Sequence, residues 1–248
     1  MKIALMCSPS LDEFQQRVLV PILEDNTIEI VEALIDCSPK QSVKNRFLKN
    51  LKRGRGGYML VMLAKSRFAK QKPSVNAKRF LSSQGINCVE TTAPYADDNI
   101  QQLRLLHPKA MVMLGGFGIV KEPLLSMAPE GILSYHHGNM RKYRGQPVGF
   151  WELYNGEHEM GITVQRLAAG IDKGIPIVEK SIDILPNDTV KTLCQRALEC
   201  STDMMHQAII NVQQPDFRPE HIEKYGPVFT LPNLRQYIFL HIKLLLRR

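Results

Sequence analysis

The sequence lacks paired cysteine motifs: five cysteines are scattered over its 248 residues, and no Cys-x-x-Cys pair occurs among them. A disulfide framework and a structural zinc site are therefore not expected, and no cluster of histidines, cysteines and carboxylates completes a catalytic metal site. Nor is there a window of about 18 uncharged apolar residues, which excludes a membrane-spanning helix. The apolar run before Pro9 is too short for a signal peptide. These absences predict a folded, reduced, cytoplasmic protein.

Acidic residues are absent between Asp36 and Glu90, while lysines and arginines recur throughout this segment. The formal net charge of the chain is +8, so the excess of positive charge is concentrated in one place. Residues 43–51 and 58–68 have the pattern of two amphipathic helices around the breaker Gly54-Arg55-Gly56-Gly57. We therefore predict a basic helical insertion at about residues 43–73. A second basic and apolar stretch predicts a C-terminal amphipathic helix within an extension over residues 213–248.

Three interpretations of these basic helices remain open. Their apolar faces pack on the domain or on a second subunit, which predicts an oligomer and leaves the charges solvated. Alternatively, they contact an anionic membrane surface or a lipid-linked substrate, which places the protein at the inner face of the membrane. Nucleic-acid binding is the third interpretation, although the chain has no interleaved aromatic residues of the kind that stack on bases.

Short apolar runs alternate with helical patterns along the rest of the chain. Strands are predicted at 2–6, 27–35, 87–91, 110–114, 132–135, 161–167 and 175–180, and helices at 11–23, 74–84, 99–106, 147–154 and 189–212, the last capped by Asp188. This alternation predicts an α/β fold with a doubly wound, mostly parallel sheet in a domain over residues 1–212. Such sheets bind ligands at the carboxyl ends of their strands. The first turn, Cys7-Ser8-Pro9-Ser10, lacks the glycine pattern of a dinucleotide or phosphate loop.

The candidate acid–base residues are a pair of histidines and one aspartate. His136 and His137 follow the strand at 132–135, and Asp172 lies in the turn Gly170-Ile171-Asp172-Lys173-Gly174. From these residues alone, catalysis and a purely structural role are both open, because an aspartate between glycines is often only a turn residue. Two interpretations are also open for the loop Gly115-Gly116-Phe117-Gly118: it is either a ligand loop or a tight turn after a buried strand.

The motifs together are more specific than any one of them. The run GILSYHHGNMRKYRGQPVGFWELYNGEHEMGITVQRLAAGIDKGIPI (131–177) resembles the catalytic domain of the formyltransferases that use 10-formyltetrahydrofolate. That family includes methionyl-tRNA, glycinamide ribonucleotide and sugar-amine N-formyltransferases. The resemblance is carried by the histidine at the strand end, Arg144-Gly145, Gly161-Ile162-Thr163 and the Gly170–Gly174 turn. Residues 114–120 also look like the folate-side loop of the family.

The resemblance implies transfer of a formyl group to a primary amine through a tetrahedral oxyanion. His136 would be the main donor to that oxygen, Asp172 would orient His136 and relay the proton of the amine, and Ser134 would donate a second bond. The pterin pocket would be lined by Gly116, Phe117, Gly118, Ile119 and Val120, with Gly170, Ile171 and Lys173. The sequence departs from the family at Ser134, which takes the place of an asparagine, and at Gly138-Asn139-Met140-Arg141, which replaces Ser-Leu-Leu-Pro.

The acceptor is the least determined part of this prediction. Methionyl-tRNA formyltransferases have a further domain after the catalytic one; this chain ends at residue 248, so no tRNA-reading domain is expected. The first turn also differs from the glycine-rich turn of the glycinamide ribonucleotide enzymes. A nucleotide-linked amino sugar or another cell-surface precursor amine is therefore the expected acceptor. The alternatives are hydrolysis of formyltetrahydrofolate, with water replacing the amine, and a non-catalytic protein that binds a membrane or a partner.

Overall fold

The computed structural model describes residues 1–39, 41–68 and 73–247. The strands are β1 (Lys2–Cys7), β2 (Ser10–Asp12), β3 (Glu29–Asp36), β4 (Ser74–Asn76), β5 (Cys88–Thr91), β6 (Ala110–Met113), β7 (Ile132–His136), β8 (Arg144–Gly145), β9 (Glu159–Arg166), β10 (Ile175–Asp183) and β11 (Val228–Phe229). The α-helices are α1 (Glu13–Glu24), α2 (Val43–Leu51), α3 (Gly56–Phe68), α4 (Ala77–Ser83), α5 (Asp97–Leu106), α6 (Phe150–Asn155), α7 (Val190–Glu199), α8 (Met204–Gln213) and α9 (Leu234–Leu246).

Seven strands form the central sheet, in the order β10-β9-β7-β6-β1-β3-β5. The five strands from β7 to β5 are parallel, whereas β9 runs antiparallel to β7 and β10 runs antiparallel to β9. Strand β1 is buried along almost its whole length, as its continuous apolar sequence requires of a strand covered on both faces. The predicted α/β fold with a mostly parallel sheet is confirmed.

Two hydrophobic cores cover the two faces of the sheet. The first core contains Leu5 and Leu133 and packs against α1 and α8, while the second contains Met6 and Ile132 and packs against α5. Consecutive strand residues point to opposite faces, which is why neighbours in sequence belong to different cores. The same alternation along β7 turns Ser134 and His136 toward the second core.

The helix predicted at 189–212 is wrong as a single element, because the structure has two helices, α7 and α8. In a continuous helix the amide of Met205 would bond to the carbonyl of Ser201. Instead the hydroxyl of Tyr135 accepts a hydrogen bond from Met205 N at 3.1 Å and donates one to Ser201 O at 2.6 Å. A side chain inserted into the helical ladder is a recognised cause of such a break.

The predicted cap of that helix is also wrong. Thr189 is the N-cap of α7, and its hydroxyl accepts a hydrogen bond from the amide of Thr192. Asp188 is buried one residue earlier, where it accepts hydrogen bonds from Leu185 N and from the hydroxyl of Thr192 and forms an ion pair with Arg196. A carboxylate with these partners fixes the loop before the helix instead of capping it.

Three helices begin two or three residues later than predicted: the one predicted from residue 147 begins at Phe150, and α1 and α4 each begin after a short strand. Strand β2 precedes α1 and pairs antiparallel with β4, which precedes α4, so the first residues of both predicted helices lie in a small ladder. Asp12 then caps α1, accepting a hydrogen bond from Gln15 N while Gln15 bonds back to Asp12 N. Part of the predicted insertion, residues 69–72, lies outside the described residues.

The C-terminal helix α9 packs against α3 and α6. Leu240 is fully buried, and Lys243 Nζ donates hydrogen bonds to the carbonyls of Leu153 and Tyr154 near the end of α6. Cations are favoured at this end of a helix, where carbonyls are unpaired. The other face of α9 stays exposed. In the described ranges no helix has both the length and the apolar character needed to cross a membrane.

Replacement of Leu240 by alanine tests how firmly α9 is docked. We expect Leu240→Ala to lower the free energy of unfolding by about 2–5 kcal/mol, because it leaves a cavity under the helix. The matched control is Ile242→Ala on the same helix, whose side chain is 51% exposed and whose loss should change stability by about 0.5 kcal/mol or less. Urea denaturation measures both, and equal effects of the two variants would contradict the packing of α9.

Candidate active site

The structure brings two of the predicted catalytic residues together. His136 ends β7 and Asp172 lies in the turn between β9 and β10, and their Nδ1 and Oδ1 atoms are 3.4 Å apart. The histidine side chain is 7% exposed and the aspartate side chain 22% exposed. A pair this shielded from water interacts more strongly than a surface pair. It can hold or move a proton at the edge of the sheet.

The second nitrogen of the His136 ring already has a partner. Nε2 lies 2.8 Å from the backbone carbonyl of Tyr143. A carbonyl oxygen only accepts hydrogen bonds, so the proton of the neutral ring is on Nε2. Nδ1 therefore faces Asp172 with a lone pair, or donates to the carboxylate when the ring is positively charged. Of the two ring nitrogens, Nδ1 is thus the one without a backbone partner.

Backbone and side-chain donors fix the Asp172 carboxylate. Gly145 N donates to Oδ2 at 2.8 Å, and Gln165 Nε2 donates to Oδ1 at 3.3 Å. Arg144 Nη1 donates to the neighbouring carbonyl of Ile171 at 3.0 Å. Asp172 itself has a φ of 44°, a left-handed conformation that aspartate tolerates better than most residues. The Arg144-Gly145 motif thus acts on the turn that carries the acid.

Gln165 is a positioning residue that the sequence analysis missed. It is buried on β9, opposite Ser134 in the sheet register. Its Nε2 bonds to Asp172, and its Oε1 accepts a hydrogen bond from Gly174 N at 3.0 Å, so one amide holds two points of the turn. A Cβ at Gly174 would lie 2.5 Å from that oxygen. In the sequence, the indication of this role is an amide side chain within the predicted strand at 161–167.

Ser134 lies on the same face of β7 as His136 and is also buried. In an extended strand, residues two apart project in the same direction. Its hydroxyl is thus on the correct side of the sheet for the predicted second hydrogen bond to the oxyanion, a role that stays a prediction.

The predicted pterin loop follows β6 at the same edge of the sheet. Gly116, Gly118 and Ile119 are exposed, whereas the side chains of Phe117 and Val120 are buried in the second core. The last two residues therefore have only backbone groups left for a ligand. Gly116 has a φ of 97°, and a Cβ there would lie 3.2 Å from the Cys7 carbonyl group, so the loop passes close to the first turn. On the Asp172 turn, Gly170, Ile171 and Lys173 are exposed.

Glu152 is a further titratable group close to His136. It is buried in α6, and it lines with His136 and Tyr143 a small cavity of about 10 Å³. Such a space holds about one water molecule. Burial raises the pKa of Glu152 to about 7. A glutamate in the apolar run FWEL was the signal for it in the sequence.

His137 does not belong to the site. Its ring stacks on Tyr135 with centroids 5.4 Å apart and meets the edge of Phe14 at 5.6 Å, on the side of the first core. Burial, with a smaller contribution from the charge of His136, lowers the pKa of His137 to about 4. His137 is therefore neutral at pH 7. Among the described residues, no group of three or more histidine, cysteine or acidic side chains is arranged to bind a metal ion.

The chain is thus an α/β protein in which a buried histidine meets a partly buried carboxylate at the carboxyl edge of a mostly parallel sheet, an arrangement suited to acid–base chemistry. The family model described as Formyl transferase matches residues 40–209, and the chain belongs to this family. Methionyl-tRNA formyltransferase of Solibacter usitatus is 28% identical over 121 residues, which are 49% of this chain and 39% of that protein. The chain spans less than half the length of the first curated relatives that it matches.

Solved structures share the fold. Glycinamide ribonucleotide transformylase 1 from Symbiobacterium toebii superposes with a TM-score of 0.60 at 16% identity, covering 90% of this chain and 94% of that one. WlaRD, a sugar 3N-formyl transferase solved with dTDP and 5-N-formyl-THF, gives a TM-score of 0.61 at 17% identity, covering 98% and 78%. At these identities the likeness establishes the fold alone.

The low pKa of His137 has a consequence for stability. The unfolded chain, whose histidine titrates near 6.5, binds this proton more readily than the native state, so His137 destabilises the fold as pH falls from 6.5 toward 4. His137→Phe keeps the ring contacts and removes the titration. Relative to wild type, we expect the variant to gain about 2–3 kcal/mol of unfolding free energy between pH 7 and pH 4.5. Urea denaturation across this range measures the difference, and a difference independent of pH would contradict burial of a neutral His137.

Proposed function

We propose that this protein transfers a formyl group from 10-formyltetrahydrofolate, the donor used by its family, to a primary amine. The observation that carries the proposal is the contact between His136 and Asp172, with the carboxylate held by Gly145 and Gln165. A fixed acid–base pair at the strand ends is what acyl transfer to nitrogen requires.

In the proposed reaction a neutral amine attacks the formyl carbon and forms the new C–N bond, which places negative charge on the carbonyl oxygen. The bond between that carbon and N10 of the folate then breaks. The amine loses one proton and N10 gains one, so the reaction needs a group that moves a proton without leaving the site. Donors positioned before the reaction stabilise the oxyanion, and the loss of one typically lowers the rate ~10²–10³-fold.

The roles of the residues follow from their contacts. His136 has its Nε2 engaged by Tyr143 O, so Nδ1 is the atom left to exchange a proton, and it acts as a donor when the ring is protonated. Asp172 Oδ1, 3.4 Å from Nδ1, would stabilise the protonated ring and accept the proton of the amine directly or through water. Ser134, on the same strand face, would donate the second hydrogen bond to the oxyanion.

The proposed folate site lies between the loop at 116–120 and the Asp172 turn. Gly116 and Gly118 offer exposed backbone there, and Ile119, 62% exposed, offers apolar surface. Gly170, Ile171 and Lys173 would form the opposite wall, while Phe117 and Val120 would contribute their backbone only. Backbone donors and acceptors suit the edge of a pterin, which carries both kinds of group.

We propose an amino sugar or another cell-surface precursor amine as the acceptor. A neighbour in fold is a sugar 3N-formyl transferase, which supports this class without choosing a member of it. The division into a catalytic domain at 1–212 and an extension at 213–248 is part of the same proposal.

The exposed face of α9 carries Leu234, Ile238, Ile242 and Leu245. Since α2, α3 and α9 contain basic but no acidic residues, we further propose that this face contacts anionic membrane lipid.

The proposed roles predict which variants lose activity. His136→Ala and Asp172→Asn should each lower formyl transfer ~10²–10³-fold or more, whereas His137→Phe, on the other sheet face, should stay near wild type. The assay incubates the protein with 10-formyltetrahydrofolate and a pool of amino-sugar nucleotides and detects a gain of one formyl mass.

The other outcomes of this assay decide between the alternatives. Release of formate without any acceptor would identify a hydrolase. Absence of turnover, with no folate binding by calorimetry, would identify a non-catalytic protein and refute the proposal. Wild-type activity of His136→Ala would refute the role given to the pair.

Membrane contact through α9 predicts binding to vesicles of defined charge. The protein should sediment with vesicles that contain phosphatidylglycerol more than with pure phosphatidylcholine vesicles, and added salt should weaken the binding. Ile242→Glu should reduce sedimentation, because it puts a negative charge on the apolar face. The control is Leu105→Glu on α5, which replaces another exposed apolar side chain, 78% exposed, and should have no effect. Equal losses in the two variants would argue against a specific α9 contact.

A further inference from the structure

A cavity of about 900 Å³ lies between α1, α3, α7 and α9. Its volume is near the upper end of the range for ligand pockets, about 300–1,000 Å³. Most of the exposed wall is apolar and includes Phe14, Tyr58, Met62, Phe150, Leu198 and Leu245, and the lining also contains charged side chains, among them Asp12, Arg17, Lys65 and Glu199. Helix α3 of the basic insertion and α9 of the C-terminal extension form one side of it. The formyl-transfer chemistry described above does not use this space.

The large cavity adjoins the small cavity beside His136 of the proposed catalytic pair. Pro147 lines both this cavity and the small one beside His136. The ring of Phe14 lines the large cavity as well and contacts His137, on the sheet face opposite to His136, with centroids 5.6 Å apart. Asp12 and Glu13, which follow the carboxyl end of β1, also line it. A ligand filling the cavity would thus present one end to the sheet edge that carries the acid–base pair.

The far end of the cavity is continuous with the exposed apolar face of α9. Leu245 lines the cavity and is 68% exposed, so it lies at the rim. The same residue belongs to the apolar face for which membrane contact is proposed. A long aliphatic chain leaving a bilayer could enter the cavity here without crossing water.

We propose that this cavity holds the aliphatic chain of the acceptor, so that the amine formylated by this protein is carried on a membrane lipid. The inference rests on the proposed function and narrows it from cell-surface precursor amines in general to chain-linked ones. The apolar wall binds the chain, α3 and α9 face the anionic bilayer, and the polar head carrying the amine extends past Pro147 toward His136.

A pair of probes that differ only in the chain tests the proposal. Dodecyl and methyl glycosides of 2-amino-2-deoxyglucose are titrated by calorimetry without the folate donor, below the micelle concentration of the dodecyl compound. The dodecyl glycoside should bind at least about 100-fold more tightly, because each buried methylene contributes to affinity. Equal affinities would overturn the inference.

Substitutions in the cavity wall test whether the dodecyl glycoside binds in this cavity. Met62→Trp fills the space and should lower the affinity for the dodecyl glycoside by about 10-fold or more, with binding of the folate donor unchanged. The matched control is Leu60→Trp, on the same helix but 58% exposed and not in the cavity wall, which should bind like wild type. Leu198→Trp on α7 replaces Met62→Trp if that variant does not fold. Equal loss in Leu60→Trp and Met62→Trp would overturn the inference.

Adding the folate donor separates the two proposals. Binding of the dodecyl glycoside without formyl transfer would preserve the lipid site and count against the proposed function. Formyl transfer to the methyl and dodecyl glycosides at equal catalytic efficiency would preserve the proposed function and overturn the lipid site.

Discussion

The position of the Asp172 carboxylate is the constraint on which the site depends. Its turn adopts a left-handed conformation at a residue other than glycine, a state that costs about 1–3 kcal/mol unless its surroundings hold it. Here Gly145 N, Gln165 and Arg144 supply that support from two other segments of the chain. Arg144, Gly145, Gln165 and the Asp172 turn therefore form one hydrogen-bonded unit, which His136 approaches from β7.

The alternation of β7 explains why two adjacent histidines have unrelated environments. His136 faces the Asp172 turn, and its Nε2 is fixed by a backbone carbonyl, while His137 is enclosed by the aromatic rings of Tyr135 and Phe14. The same strand thus carries the proposed acid–base residue on one side and a residue of the packed core on the other. Tyr135 also has a structural role, because its hydroxyl bonds to Ser201 O and Met205 N and so connects the end of α7 to the start of α8. A change at this tyrosine would reach the site through the backbone of β7.

The sheet could be predicted from the sequence because buried parallel strands consist of continuous apolar runs. Such a run is recognised from the local sequence, without knowledge of any distant residue. The meeting of His136 and Asp172 was also predictable, through the resemblance carried by the motifs around them. The break between α7 and α8 was not, since the residues on both sides form helices and the break involves the hydroxyl of Tyr135, which is distant in sequence. Gln165 and Glu152 were missed for a similar reason: their importance lies in contacts across the fold, and their spacing in the sequence has no distinctive period.

Helix α3 of the insertion and the C-terminal helix α9 pack together as one structural unit. Gly57 allows a close approach, because a Cβ there would lie 2.9 Å from Leu234, and the rings of Tyr58 and Tyr237 meet at 5.6 Å. Lys65 adds a hydrogen bond to the Tyr237 hydroxyl. Each helix leaves apolar side chains exposed, so neither is explained by packing on the sheet alone. Two helices that cover each other only in part and line one side of a cavity are suited to holding a ligand. The basic residues of α3 and α9 favour an anionic surface as the source of that ligand. The chemistry would then belong to the sheet edge and the choice of acceptor to the helices, which allows the two to vary independently in sequence.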